Sequence, residues 1–517
     1  MKKIILLTLI FTVSLATSCK NYLDEEPKTG VSIDFLYSEP EGLKAATVAL
    51  YNLNRDIYTF HPNENSATLY LHVLNDLVIA RSGYISIIAQ FDKDVVAPIG
   101  YGSSFLGIIW KHHYKVIDRA NAIIKAGETI QGMDEDELNS VLAQARLFRA
   151  QSLFTLWRMF DKVYVATEPT TPENVFNRVE HESTKEEVFA LLHEDFDFAT
   201  ANLPWVDSPG RMTKAVAHHL KAKAALWQED WPMAAAHADS VINSGHYRLL
   251  DDVKDVFAGD RNSAEALWVL QFAEGQAGGG PRNFIPANFQ TAYHRVEGAK
   301  YSKEQGGRGF AFFYPNDYLL ELYDEEDARL NAYYRLKYYY NDAENLPAGV
   351  NLGDEIVIPK TGATKSLYYE RIHPTCQKYY DENMEPSAAF SYNNILIYRL
   401  AETHLIAAEA YMKMAQGTMA FNRISPLQER AGVEPLFGLT ELSLMKEHAR
   451  ELAFEGQRWF FLKRTEKLIF QVQHFSGDDD FQNDARGNIR DHMINFPIPQ
   501  SELDLLGDEY PQNDGYN

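Results

Sequence analysis

The chain has 517 residues, 45% of them apolar and 23% charged, which is enough for a large core and too apolar for a disordered chain. Its 49 Lys and Arg face 72 Asp and Glu, and the net charge of −23 repels phosphate backbones, so no nucleic-acid partner is expected. At about 150 residues per domain, the length allows three or four units or one large integrated fold.

Met1-Lys2-Lys3, the mainly apolar run Ile4 to Val13 and the small residues Ser14, Ala16, Thr17 and Ser18 read as the three parts of an export signal. That run is too short to cross a hydrocarbon core of about 30 Å as a helix, and no later run is long enough either. Cys19 follows directly, and the segment resembles a bacterial lipoprotein signal: residues 1–18 are removed and Cys19 is acylated, anchoring the chain to a membrane. Leu15 stands four residues before the cysteine, one further than usual, and ordinary signal-peptidase cleavage at Ala16-Thr17-Ser18 is the alternative. Each buried CH₂ of an acyl chain contributes about 0.8 kcal/mol to anchoring. Loss of Lys2 and Lys3 takes the charge from −23 to −25, and lipidation of Cys19 leaves Cys376 alone, so no disulfide is expected. Lys20 to Pro27 reads as a polar tether.

The pattern over about 40–245 is mostly α. Leu147, Ala150, Leu153, Phe154 and Trp157 form one apolar stripe. Ser183 with Glu186 reads as an N-terminal cap, opening a helix with Val188, Leu191, Leu192 and Ala199 on one face, ended by Leu203-Pro204. From Thr213 to Ser244, Val216, Leu220, Ala224 and Trp227 face Trp231, Ala235, Ala238 and Val241/Ile242 across the turn Gln228-Glu229-Asp230, a tetratricopeptide-like hairpin. Tyr398 to Met414 and Ala420 to Arg430 form a second candidate pair. The distance between the two pairs in the chain speaks against a continuous solenoid and for repeats built into a larger domain. Over about 271–392 the helical period fades into Gly, Pro, Asn and aromatic residues, a loop-rich segment with short strands where binding residues tend to collect. Helices and a tail follow over about 393–517, and residues 19–517 read as a single integrated domain.

Seven blocks in order then carry a resemblance: Cys19-Lys20-Asn21-Tyr22-Leu23-Asp24 with Pro27; Arg146-Leu147-Phe148-Arg149-Ala150 running into Phe160-Asp161-Lys162-Val163-Tyr164; Gly210-Arg211-Met212-Thr213-Lys214; Tyr398-Arg399-Leu400-Ala401-Glu402 with Ala408-Glu409-Ala410; Arg450 to Trp459; Pro497-Ile498-Pro499; and Gln512 to Tyr516. Together they resemble the RagB/SusD family of outer-membrane nutrient-uptake lipoproteins. Phe461, Thr465 and Asp514 depart from the usual Asp, Trp and Pro. The resemblance implies a mostly α, SusD-like fold with tetratricopeptide-like helix pairs. It also implies a cell-surface, lipid-anchored position at the outer membrane, a SusC-like TonB-dependent barrel as partner, and an oligosaccharide as cargo.

The residues themselves offer little catalysis. Glu451 and Glu455 lie four apart on a helical face, but Arg450 and Arg458 flank them, so ion pairs along the helix are the simpler reading. His112-His113 and His218-His219 are adjacent and point to different faces, Gly278-Gly279-Gly280-Pro281 lacks a phosphate-loop ending, and no cofactor or metal is expected. A glycan site needs exposed rings beside amides, Arg or carboxylates. Two segments offer that mixture: Asn75 to Tyr101, holding Asp76, Arg81, Tyr84, Gln90 and Phe91, and Arg282 to Phe313, holding Asn283, Phe284, Asn288, Phe289, Tyr293, His294 and Arg308; the ligand contacts expected among them are Asp76, Arg81, Tyr84, Phe91, Asn283, Asn288, Phe289, Tyr293 and His294. Trp110, Trp157, Trp227 and Trp231 read as core. The expected function is non-enzymatic glycan capture for import; a peptide cargo, a surface glycosidase and a scaffold without ligand are the alternatives.

Overall fold

The computed structural model describes residues 33–58, 69–81, 86–94, 96–276, 278–280 and 282–516. Residues 1–18, Cys19, the tether and Tyr84 lie outside them. Helix α1 spans Pro40–Asp56, and α2 (Tyr101–Gly127) leads into α3 (Glu135–Phe160). Asp134 starts α3 by accepting from the N–H groups of Asp136 and Glu137, and Glu135, Asp136 and Glu137 add negative charge at the positive end of the helix dipole. From Leu147 to Phe160 nearly every side chain of α3 is buried, so the expected stripe widens to the whole circumference, as a helix covered on all sides requires. Arg149 is tolerated there because its guanidinium forks onto Asp195 at 2.7 and 2.8 Å and reaches Asn121 Oδ1 at 2.8 Å. Asn121 is on α2 and Asp195 on α4 (Lys185–Asn202), so one side chain ties three helices together.

The cap of α4 is Thr184, one residue later than the sequence predicts. Thr184 Oγ1 accepts from the Glu187 N–H at 3.2 Å, and the Glu187 carboxylate closes the box on the Thr184 N–H at 2.8 Å. Ser183 Oγ is already engaged by the Val165 N–H at 3.0 Å.

α5 (Lys214–Trp227) and α6 (Trp231–Ile242) form the expected hairpin, as do α8 (Leu400–Lys413) and α9 (Gly417–Arg430), where α7 denotes the short helix Lys365–Arg371. The sequence sets the two pairs apart; in space α6 packs directly on α8, and α2 to α6, α8 and α9 make one continuous stack. Small residues allow this close approach: Ala222, Ala225, Ala234, Ala235 and Ala238 meet Ala407 and Ala410, with Leu226 and Ile406 filling the gaps. Of the tryptophans read as core, Trp110 and Trp157 are buried, whereas Trp227 and Trp231 are half-buried at the edge of the stack.

Strand β2 (Ala266–Leu270) pairs antiparallel with β4 (Ile395–Arg399), bracketing the loop-rich segment, which therefore leaves the stack and returns at one place. Within it, β3 (Phe313–Pro315) pairs with β1 (Val78–Ala80). The main hydrophobic core takes residues from α1 through to Tyr510, including Phe289, Phe313 and Tyr334 of the loop-rich segment.

Helix α10 (Glu441–Leu452) ends before Glu455, so the two glutamates read as helical neighbours find distant partners instead of pairs along the helix. Glu451 Oε1 accepts from Arg399 at 2.6 Å and from Arg430, and Glu451 Oε2 accepts from Arg329 at 3.0 Å. Glu455 binds Arg399 at 2.7 Å and Lys378 at 2.6 Å, while Arg450 pairs with Glu447. Burial alone would raise the Glu451 carboxyl; Arg430, Arg399 and Arg329 outweigh it and hold it well below the usual carboxylate range. These partners come from β4, α9, α10 and the loop-rich segment, so the charges lock that segment to the stack.

Candidate functional site

The two segments singled out for ligand contacts are brought together by the β1–β3 pairing. Val78, Ile79 and Ala80 lie opposite Pro315, Tyr314 and Phe313, and the Arg81 N–H extends the ladder to the Phe312 carbonyl at 2.9 Å. The loop before β3 folds on itself: the Phe310 N–H donates to Ala287 O at 2.8 Å and the Ala311 N–H to Gln290 O at 2.9 Å. Gly309 permits this approach, because a Cβ there would stand 2.2 Å from the Gln290 carbonyl oxygen.

Most residues chosen from the sequence are spent on holding this arrangement, which corrects their reading as ligand platforms. Asp76 is fully buried and takes the Arg458 guanidinium in two bonds of 2.8 and 2.6 Å. Phe91 is fully buried in the main core. Phe289 is fully buried and packs on Phe454 and Tyr379 at centroid distances of 5.1 and 5.6 Å. Tyr293 stacks on Tyr338 at 5.3 Å with no exposed ring face, and its hydroxyl accepts from the Ser302 N–H at 2.9 Å. Asn283 and Asn288 are buried as well, Asn283 bridging to Ser391 through both backbone groups. An aromatic in a Gly- and Pro-rich stretch has to supply that stretch's own core, since no helix supplies one.

Two of the chosen residues remain at the surface. Arg81 donates to Glu370 Oε1 at 3.0 Å, and Arg295 shares the same oxygen. The half-buried His294 ring lies against Tyr301 at 4.3 Å. Burial first, then the neighbouring Arg295 and Arg308, lower the His294 pKa to about 4, so it presents a neutral imidazole.

The exposed rings belong to neighbours that were not singled out as contacts. Phe284, Phe310, Phe312, Phe390 and Tyr392 are all half-buried and touch in sequence: Phe310 lies 6.1 Å from Phe284 and 5.4 Å from Phe312, and Phe390 lies 6.0 Å from Phe284 and 6.3 Å from Tyr392. The exposed Arg282 guanidinium sits over Phe390 at 4.3 Å. No local pattern announces Phe310 and Phe312 either, because Ala311 between them takes a left-handed backbone at φ 60° and the strand begins only at Phe313, so strand alternation does not apply to them. Phe390 and Tyr392 arrive only through the Asn283–Ser391 bridge, which no local pattern announces.

One residue beyond Tyr392, Asn393 lines a groove of about 570 Å³ with Phe257, Asn331, Gln377, Tyr380 and Glu382. The Tyr380 hydroxyl donates to Lys303 O at 2.8 Å, tying the groove to the loop before β3. Ring cluster and groove thus offer apolar faces beside amides, a guanidinium and a carboxylate, the combination that sugar rings match with their C–H faces and hydroxyl edges. Among the described residues no group of three or more His, Cys, Asp and Glu side chains is placed to hold a metal ion, and no helix is long and apolar enough to cross a membrane.

The profile of the SusD family matches residues 264–516. SusD-like protein P25 of Formosa agariphila is 22% identical over 543 residues, covering 98% of this chain and 98% of its own. A SusD-like protein of Bacteroides ovatus is 26% identical over 282 residues, 52% of this chain and 49% of its own. Among solved structures, a laminarin-binding SusD-like protein has a TM-score of 0.73 at 22% identity, covering 93% of this chain and 100% of its own. Surface glycan-binding protein A from Bacteroides thetaiotaomicron, in complex with laminarihexaose, has a TM-score of 0.73 at 20% identity, covering 92% and 100%. With the family profile on residues 264–516, relatives along its whole length and the same helical fold in solved structures, the chain is SusD-like.

Proposed function

We propose that this chain is a non-enzymatic, surface-exposed glycan-binding lipoprotein, anchored through Cys19, which captures oligosaccharide and hands it to a SusC-like TonB-dependent barrel for import. The observation that carries the reading is the half-buried ring cluster Phe284, Phe310, Phe312, Phe390 and Tyr392 beside the amide-lined groove. The laminarin and laminarihexaose bound by structural neighbours support a glycan as the ligand class. Glu370, the carboxylate beside Arg81 and His294, is engaged by the guanidiniums of Arg81 and Arg295, an ion-pair cluster at the edge of the site. Binding rests on stacking and hydrogen bonds to a surface formed in advance, and residues 1–18 and 19–517 act as export signal and single working domain.

Calorimetry of the purified protein against oligosaccharides, polysaccharides and peptides tests this, with Phe310→Ala, Phe390→Ala and Tyr84→Ala in parallel. The expected result is saturable glycan binding weakened by the two phenylalanine variants. Binding untouched by both would move the site elsewhere, and a response to peptides alone would replace the glycan reading. Co-purification of a TonB-dependent barrel with the lipidated protein, lost for Cys19→Ala, is expected for the partner and the anchor.

A further inference from the structure

A cavity of about 70 Å³ is lined by side chains of α1, α2, α3 and β4. Four of its lining residues carry a buried polar atom with no hydrogen-bond partner among the described residues: Arg158 Nη1, His113 Nδ1, Asn54 Nδ2 and Gln151 Oε1. Orphans are rare in folded proteins and costly when charged, so four on one cavity signal an occupant.

Charge identifies the occupant. Arg158 is only 5% exposed and lies between the rings of Phe154 and Phe460, at 4.2 and 4.0 Å. Its Nε donates to Phe154 O at 3.2 Å and its Nη2 reaches Thr155 Oγ1 at 3.4 Å, and no carboxylate among the described residues pairs with it. Glu402, whose field it feels, is taken by Lys223 at 2.5 Å and His219 at 3.1 Å. Glu455, also on the cavity wall, is bound by Arg399 and Lys378. Burial, then His112 and Arg158, hold His113 neutral, and burial keeps His219 neutral against the pull of Glu402. Among the described residues, Arg158 and Lys223 against Glu402 leave one positive charge buried without a counter-charge, an arrangement that costs several kcal/mol unless it is compensated.

We propose that the cavity is a structural binding site for a small monovalent inorganic anion of the chloride class, with Arg158 Nη1, Asn54 Nδ2 and His113 Nδ1 as donors. Gln151 Oε1 is an acceptor and takes its hydrogen bond from a water beside the anion. The volume has room for both, since one water needs about 10–15 Å³. The anion completes the contact between α3 and β4, because Gln151 Nε2 donates to the Tyr398 hydroxyl at 2.9 Å on the same wall.

Bromide is the probe. In crystals of the protein grown with bromide, an anomalous peak is expected within hydrogen-bond distance of Arg158 Nη1. The thermal midpoint is expected to rise with chloride when ionic strength is held constant with gluconate, which is too large for the cavity. Gln151→Glu supplies a carboxylate in place of the anion and lets the Tyr398 hydroxyl donate to it, so both the bromide peak and the chloride response should vanish in that variant. Water alone in the cavity of bromide crystals, or equal midpoints in chloride and gluconate, overturns the proposal, and both measurements on the unaltered protein decide it even if the variant does not fold.

Discussion

The helical stack and the loop-built surface face the same problem with different materials. In the stack, backbone groups are satisfied inside each helix, so neighbours need only matching shapes, and alanines at the α6–α8 contact provide them. In the loop-rich segment few backbone groups pair regularly; rings and charged side chains close the structure instead, through Tyr293 on Tyr338, Arg329 on Glu451 and Lys378 on Glu455. Buried charge is present in both regions, but in the stack it ties helices to one another, as Arg149 does with Asp195, whereas Arg329 and Lys378 use it to hold irregular chain to the stack. The same residue types that make a sugar site attractive in sequence are there consumed by folding.

The largest expected effect comes from removing a charge at the junction of the two regions. Arg399→Met removes the one guanidinium that Glu265, Glu451 and Glu455 share, leaves their buried cluster one positive charge short, and is expected to cost about 3–5 kcal/mol in denaturant unfolding. Loss of the exposed partner Glu194 beside Arg146 should cost no more than about 1 kcal/mol, and equal losses would erase the contrast. Next, Gly309→Ala drives a Cβ into the Gln290 carbonyl and is expected to cost about 1–3 kcal/mol. Glycan binding should weaken with it while far-ultraviolet circular dichroism, dominated by the stack, stays unchanged.

Acid compares the regions directly. Burial lowers His373, beneath β3, and His404, in the stack, to about 4 from an ordinary 6.5. Between those values the unfolded chain takes up protons that the folded chain refuses, so stability falls as pH drops from about 6.5 toward 4. Each histidine is expected to contribute about 1–2 kcal/mol of that loss at pH 5. Denaturant midpoints of His373→Phe and His404→Phe at pH 7 and 5 measure the two shares. The smallest effect belongs to the rings: Phe310→Ala or Phe390→Ala is expected to weaken glycan binding by about 0.5–1.5 kcal/mol, read by calorimetry, with little change in stability.

The helical part was legible because its signals are local. Val216, Leu220 and Ala224 repeat at helical spacing and are all buried in α5. The cap at Thr184 was missed by one residue because Ser183 offers the same hydroxyl, and only the distant Val165 N–H decides between them. In the site, the segments were readable from composition, but the individual residues were not. Phe289 and Phe310 lie in one stretch, and nothing local says that the first faces Phe454 and the second faces outward.

Spacing along the chain determined the helices and their hairpins, and the ordered blocks determined the likeness to the SusD family, since period and motif order are properties of the chain itself. Three things were settled only by the tertiary structure. The α6–α8 contact closes the stack across a long insertion, the glutamates of the Arg450–Trp459 block find partners on other elements, and the rings on view come from segments joined by the β1–β3 ladder and the Asn283–Ser391 bridge. Each joins residues far apart in sequence, and such contacts are selected by burial and charge compensation in the folded chain, where no local preference can register them.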